Sequence, residues 1–188
     1  HLDHWGLVPR AAAGVPVWLG EAAGRILREA AFFSRAGADL KAAGWLRDRQ
    51  TFELGPFRVT PYLMDHSAFD AYALLVEAGG TRLFYTGDFR SHGRKPDLFE
   101  RLLRDPPGKI DLLLVEATNL RPEGEPCAEE LSETDVERRC VETFRATPGM
   151  VLACYSAQNV DRLVTLYRAA LQADRDLVVD LYTATVAQ

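Results

Sequence analysis

The stretch "TFELGPFRVTPYLMDHSAFDAYALLVEAGGTRLFYTGDF", Thr51–Phe89, decides the fold. It reads as two β-hairpins in series. Gly55-Pro56 turns between "TFEL" and "FRVTPYLM", and Gly79-Gly80 turns between "AYALLVEA" and "TRLFYT". The flanking runs alternate apolar and polar residues, the pattern of strands that bury one face. Glycine and proline punctuate where the chain must reverse. Each long strand then ends in polar residues: Asp65-His66-Ser67 after the first hairpin, Gly87-Asp88-Phe89 after the second.

Outward from this stretch the chain reads as mixed helix and strand. "PDLFERLLRD", Pro96–Asp105, predicts a helix with proline in its first turn. "KIDLLLVEAT", Lys109–Thr118, predicts a buried apolar strand that ends at Glu116. Upstream, "VPVWLG", Val15–Gly20, reads as a buried strand. "EAAGRILREAAFFSRAG", Glu21–Gly37, has helical spacing, with Ile26, Leu27, Ala30, Ala31 and Phe33 on one side. Downstream lies an acidic helix, "ELSETDVERRCVETFRAT", read as a solvated face. Ser132 and Asp135 are its N-cap arrangement and Pro148-Gly149 its stop. "GMVLACYS", "AQNVDRLVTLYRAALQAD" and "DLVVDLYT" follow as strand, helix and strand, a βαβ unit expected in a parallel sheet. The class is α/β. Leu112–Val115 and Val151–Cys154 are expected inside its core.

Composition sets outer limits. The chain has 188 residues, 47% hydrophobic and 26% charged, in the range of a globular chain of about one domain. No apolar run reaches the ~18 residues of a membrane span, and no basic-then-apolar leader suggests export. The three cysteines, Cys127, Cys140 and Cys154, are odd in number and lack CxxC spacing. They fit a reducing cytoplasm and read as small, buried or half-buried residues. The net charge of -5 does not advertise a nucleic-acid binder, but Arg121–Glu142 alone holds eight acids against three bases and carries all of it. A local basic groove elsewhere stays open.

Four polar groups stand at strand ends or loop starts: His1-Leu2-Asp3-His4, Asp65-His66-Ser67, Gly87-Asp88-Phe89 and Glu116-Ala117-Thr118. Strand ends along one sheet edge are where α/β proteins build sites. His1, Asp3, His4, His66 and Asp88 form a nitrogen and oxygen donor set without thiolate. That set suits zinc, manganese or iron in a hydrolytic site, where a shared carboxylate can hold two ions about 3.5–4 Å apart. Taken singly, each has a plainer reading: His66 as a satisfied core histidine, Asp88 as a turn residue after Gly87. Past Asp88, Arg90, His92, Arg94 and Lys95 could grip a phosphate or form a solvated loop. Ser67 reads as support for the His66 loop, and Trp5 as packing under the first cluster.

Taken together, these motifs resemble those of the metallo-β-lactamase fold hydrolases. "HLDHWG" resembles the second half of the HxHxDH motif, "DHSAFDA" the next histidine segment and "YTGDF" the bridging-aspartate segment, in the family's order. "LLLVEATN" followed by an acidic helix is similar to the carboxylate motif of the β-CASP nucleases, the ribonuclease J-like group. "GMVLACYSAQNVDRLVTLYRAALQADRDLVVDLYT" resembles the opening of their β-CASP insert. Ribonuclease J usually carries aspartate where this chain has Glu116; other members carry glutamate.

The resemblance implies part of a metallo-β-lactamase αββα sandwich over residues 1–147, lacking its first strands, and the start of a β-CASP-like domain over 148–188. The chain looks truncated at both ends. It implies two zinc ions, with manganese as the alternative. His1 and His66 bind one, Asp3 and His4 the other, and Asp88 bridges them. Asp3 also orients the attacking hydroxide, and Glu116 helps to position a catalytic histidine from outside the chain. The implied activity is a metal-dependent phosphodiesterase that cleaves RNA, or DNA, by a metal-activated hydroxide. The implied partner is RNA or another single-stranded nucleic acid, in the cytoplasm, without a membrane, with a homo-oligomer as an open option. The alternatives are a small-molecule ester, thioester or lactone hydrolase of the same fold, and a degenerate binding subunit. With one histidine of each metal outside the chain, these 188 residues alone are expected to bind metal weakly and to have little activity.

Overall fold

A computed structural model describes residues 2–10, 14–33, 41–118 and 131–188, and for Leu2 and Asp3 it describes the backbone only. The contacts divide the chain into two units. One comprises 1–45, 67–69 and 132–188, the other 46–66 and 70–131.

The second unit is built on a five-stranded sheet in the order β3-β4-β5-β6-β7. Both expected hairpins are present. β3 (Phe52–Leu54) and β4 (Phe57–Met64) pair antiparallel across Gly55-Pro56. β5 (Ala71–Ala78) and β6 (Thr81–Tyr85) pair across Gly79-Gly80. Both turn glycines have left-handed backbones, φ 55° and 81°, the pair of positive values that lets a two-residue turn follow the strand twist. β4 pairs with β5 from Arg58↔Glu77 to Met64↔Ala71. Pro61 sits in β4 past the end of β3, and its carbonyl accepts from Arg49 N at 2.7 Å. Its missing N–H therefore interrupts no ladder.

β6 leads through helix α3 (Pro96–Arg104) into β7 (Leu112–Leu114), which lies parallel to β6. This is where a parallel βαβ unit occurs. Met64, Ala73, Leu75 and Phe84 form the core under the sheet, with Tyr62, Phe89, Phe99, Leu102 and Ile110 packed against it. Because the strands alternate in direction, β4, β6 and β7 end along the same sheet edge, where β5 begins. β7 differs from expectation. Only three residues pair, and Leu112, Leu113, Leu114 and Val115 are each roughly half exposed. β7 is the last strand in the order, so one of its edges lacks a neighbour within this sheet.

The first unit holds α1 (Leu2–Trp5), a 3-10 turn at Val8–Arg10, β1 (Val17–Gly20), α2 (Glu21–Ala31) and β2 (Ala42–Leu46), followed downstream by α4 (Glu133–Ala146), α5 (Val160–Gln172) and α6 (Leu181–Val186). β1 pairs with β2, a strand the sequence did not suggest. A Cβ at Gly44 would stand 2.2 Å from the Trp18 ring, and one at Gly24 2.8 Å from Trp45. Each tryptophan thus occupies the space of a missing side chain. α4 begins with the expected cap: Ser132 Oγ accepts from Asp135 N at 3.1 Å, and Asp135 accepts from Ser132 N at 3.1 Å.

Two features here depart from expectation. α4 is not a purely solvated face, because Glu133 is buried. Its carboxylate accepts from Arg162 Nη2 at 3.0 Å, Arg162 Nε at 3.2 Å and Thr165 Oγ1 at 2.6 Å. The two strands expected around α5 are absent. Residues 150–156 and 175–180 have no regular structure, and "LYTATV" is helix α6. Parallel strands need cover on both faces, whereas Leu152 is 87% and Val178 90% exposed. Asp180 instead caps α6 by accepting from Thr183 N at 2.7 Å, and Thr183 and Val186 are buried one helical turn apart.

Candidate metal centre

The second unit brings His66, Asp88 and Glu116 to one sheet edge. His66 follows β4, Asp88 follows β6 and Glu116 follows β7. His66 Nε2 lies 3.8 Å from Asp88 Oδ2, with the two side chains 16% and 36% exposed. Burial pushes the His66 pKa down, and the neighbouring Asp88 carboxylate opposes this only in part. The ring is therefore neutral at neutral pH, the form in which imidazole donates a lone pair. Two donors each about 2.0–2.2 Å from one ion stand up to about 4 Å apart, so this pair fits a shared metal.

The local chain explains why Asp88 is held where it is. Gly87 is buried with φ 57°, and a Cβ there would come within 3.2 Å of Tyr72 O. Thr86 N donates to Leu114 O at 2.9 Å and Thr86 Oγ1 to Gly87 O at 2.8 Å. Phe89 is fixed at both ends. Its ring stacks on Phe99 at 5.7 Å, and its N–H donates to Glu116 Oε1 at 2.7 Å. Glu116 N in turn donates to Thr86 Oγ1 at 3.3 Å. The Glu116 carboxylate thus grips the backbone one residue past Asp88.

The turn beyond carries Arg90, His92, Arg94 and Lys95, all half-buried. It is anchored by a residue that sequence reasoning left out of the site, Asp65. Asp65 is fully buried, its carbonyl accepts from Arg90 N at 2.8 Å, and its Oδ2 accepts from Gly93 N at 2.8 Å. Its place beside His66 at the end of an apolar strand was the available signal, since a carboxylate buried there needs donors.

The remaining candidates lie in the first unit. His1 is outside the described residues, as is the side chain of Asp3. His4 is exposed, in the last turn of α1. Among the described residues no group of three or more His, Cys, Asp or Glu is arranged to hold a metal ion. Of the expected donor set, the side chains of His4, His66 and Asp88 are described, and His66 and Asp88 form the 3.8 Å pair.

No family model matches the chain. Ribonuclease J of Mycobacterium tuberculosis, from strains CDC 1551 / Oshkosh and ATCC 25618 / H37Rv, is 29% identical over 137 residues, covering 69% of this chain. The chain is similar in sequence to ribonuclease J over those residues. It spans 23% of the length of those relatives. A crystal structure of a protein of unknown function from Enterococcus faecalis V583 superposes with a TM-score of 0.74 at 22% identity, over 92% of this chain and 46% of that one. That likeness concerns the fold. A metallo-β-lactamase from Cronobacter sakazakii aligns at a TM-score of 0.43 and 15% identity, over 93% of this chain and 69% of that one. Among the described residues, no helix is long and apolar enough to cross a membrane.

Proposed function

We propose that this chain is part of a metal-dependent phosphodiesterase of the β-CASP type that cleaves RNA in the cytoplasm, with zinc as its metal. The observation that carries the reading is the His66–Asp88 pair at 3.8 Å, beside the Glu116 grip on Phe89, in a chain similar to ribonuclease J. In this reading residues 1–147 are the metallo-β-lactamase-like domain and 148–188 open the β-CASP-like one. His66 Nε2 and the Asp88 carboxylate are metal donors, and His1, Asp3 and His4 complete the set by motif.

Bound metal supplies Lewis acidity and an acidified water. The chain's own residues do the rest. His66 enters as a neutral donor because burial keeps its proton off. Glu116 and Gly87 fix the angle at which the Asp88 carboxylate is presented. Arg90, Arg94 and Lys95 lie on the same turn as His92 and supply positive charge for a phosphodiester, and His92 supplies a ring nitrogen, in keeping with the large share of nucleic-acid contacts made to phosphate.

The test uses the intact protein with single-stranded RNA. Chelation should abolish cleavage and restored metal should return it. Asp88→Asn should lower turnover by about 100-fold or more, because a neutral amide is a poor donor to a dication. Unchanged turnover in Asp88→Asn refutes the assignment. Hydrolysis of a thioester or lactone without cleavage of RNA or DNA would favour a small-molecule hydrolase instead.

A further inference from the structure

Asp65 follows the last residue of β4 and immediately precedes His66, and three of its contacts reach the turn that follows Asp88. Its carbonyl and its Oδ2 each accept a backbone N–H at 2.8 Å, from Arg90 and Gly93 respectively. Arg90 Nε stands 3.8 Å from Oδ1, and the Arg90 side chain is only 12% exposed. The fit at Gly93 leaves no room for a side chain. A Cβ there would lie 2.3 and 2.5 Å from the two carboxylate oxygens and 2.6 Å from Arg90 Nε.

The residue adjoining one candidate ligand therefore holds the turn that carries the other. Asp88 is two residues before Arg90, so a shift of the Arg90–Gly93 turn moves the Asp88 carboxylate relative to His66. We infer that Asp65 is a positioning residue that sets the separation of His66 and Asp88 by clamping the Arg90–Gly93 turn. The inference rests on the metal reading above for its consequence, but its geometry is that of the chain alone. A partner behind a metal ligand that fixes its orientation is worth about 10–100-fold in metal affinity.

Two variants disturb the clamp from opposite sides. Asp65→Asn keeps an acceptor for Gly93 N but removes the charge and turns an amide N–H toward Arg90. Gly93→Ala leaves Asp65 intact and drives a methyl group into its carboxylate. Co2+ serves as the probe on the intact protein, with its visible absorption reporting ligand geometry and titration giving Kd. Both variants should keep the parental far-UV circular dichroism, weaken Co2+ binding by roughly 10–100-fold and alter the absorption bands. Parental affinity and bands in a folded variant overturn the inference. So does failure of both variants to fold, which would make Asp65 a strut of the fold first. If the parent takes up no Co2+, the metal reading fails by itself. Crystals of the metal-free parent and variants then decide: a His66 Nε2–Asp88 Oδ2 separation widened from the parental 3.8 Å sustains the positioning role, and an unchanged one overturns it.

Discussion

Replacing Glu116 isolates one bond. In the parent its Oε1 accepts the Phe89 N–H at 2.7 Å, and Glu116 and Phe89 are both half-buried. A hydrogen bond to a charged group contributes about 1.5–3 kcal/mol when shielded, and partial exposure brings this to about 1–2 kcal/mol because water can replace the lost acceptor. Glu116→Ala should therefore destabilise the protein by about 1–2 kcal/mol, read as a lower urea midpoint at constant slope. Glu116→Gln retains a carbonyl oxygen at the same place and should lose less than half as much. The Phe89 amide should exchange faster with solvent in the alanine variant than in the glutamine variant. Equal losses in the two variants, or unchanged Phe89 exchange in Glu116→Ala, would refute the assignment of Glu116 as the grip on this turn.

The Glu133–Arg162 pair should respond asymmetrically. Arg162→Ala strands a carboxylate that is 3% exposed and should cost about 3 kcal/mol or more, whereas Glu133→Ala leaves an arginine 33% exposed and should cost about 2 kcal/mol, as urea unfolding would report. Gly80→Ala should cost about 1–2 kcal/mol in the same assay, since φ there is 81°. The bonds from Ser132 hold the Asp135 carboxyl below the usual range. A depressed folded-state pKa adds stability above the unfolded pKa that is lost as pH falls through the folded one. The parent should therefore lose stability below about pH 4 more steeply than Ser132→Ala, as thermal melts across that range would show.

The parts of the fold that were legible in sequence are those specified locally. Gly55-Pro56 and Gly79-Gly80 announce their turns because few residues tolerate those backbones, and Ser132 and Asp135 announce a helix start because their side chains cap it. What escaped depends on partners far away in the chain. "KAAGWL" shows no strand alternation, yet β2 forms because Gly44 makes room for Trp18. "DLYTATV" has the β-branched content of a strand, and a single Asp180 cap turns it into α6. Glu133 looks like one more surface acid until Arg162 and Thr165, about thirty residues on, surround it. At the candidate centre, His66, Asp88 and Glu116 were legible as strand-end residues. Asp65 was legible as a strand-end residue too, but its role was not, because it depends on Gly93, whose lack of a side chain has no visible motive in sequence.

The anchoring of the Arg90–Lys95 turn divides its positions into two kinds. Arg90 and Gly93 are held by Asp65 and belong to the frame. Ser91, His92, Arg94 and Lys95 lie outside those two bonds to Asp65, and Lys95 N-caps α3, its carbonyl accepting from Leu98 N at 3.0 Å. A combinatorial library confined to those four positions would vary charge, size and hydrogen-bonding capacity beside Asp88 while the turn keeps its path. The same division predicts how relatives diverge: side chains at those four positions vary, while Asp65 and Gly93 change only as a pair.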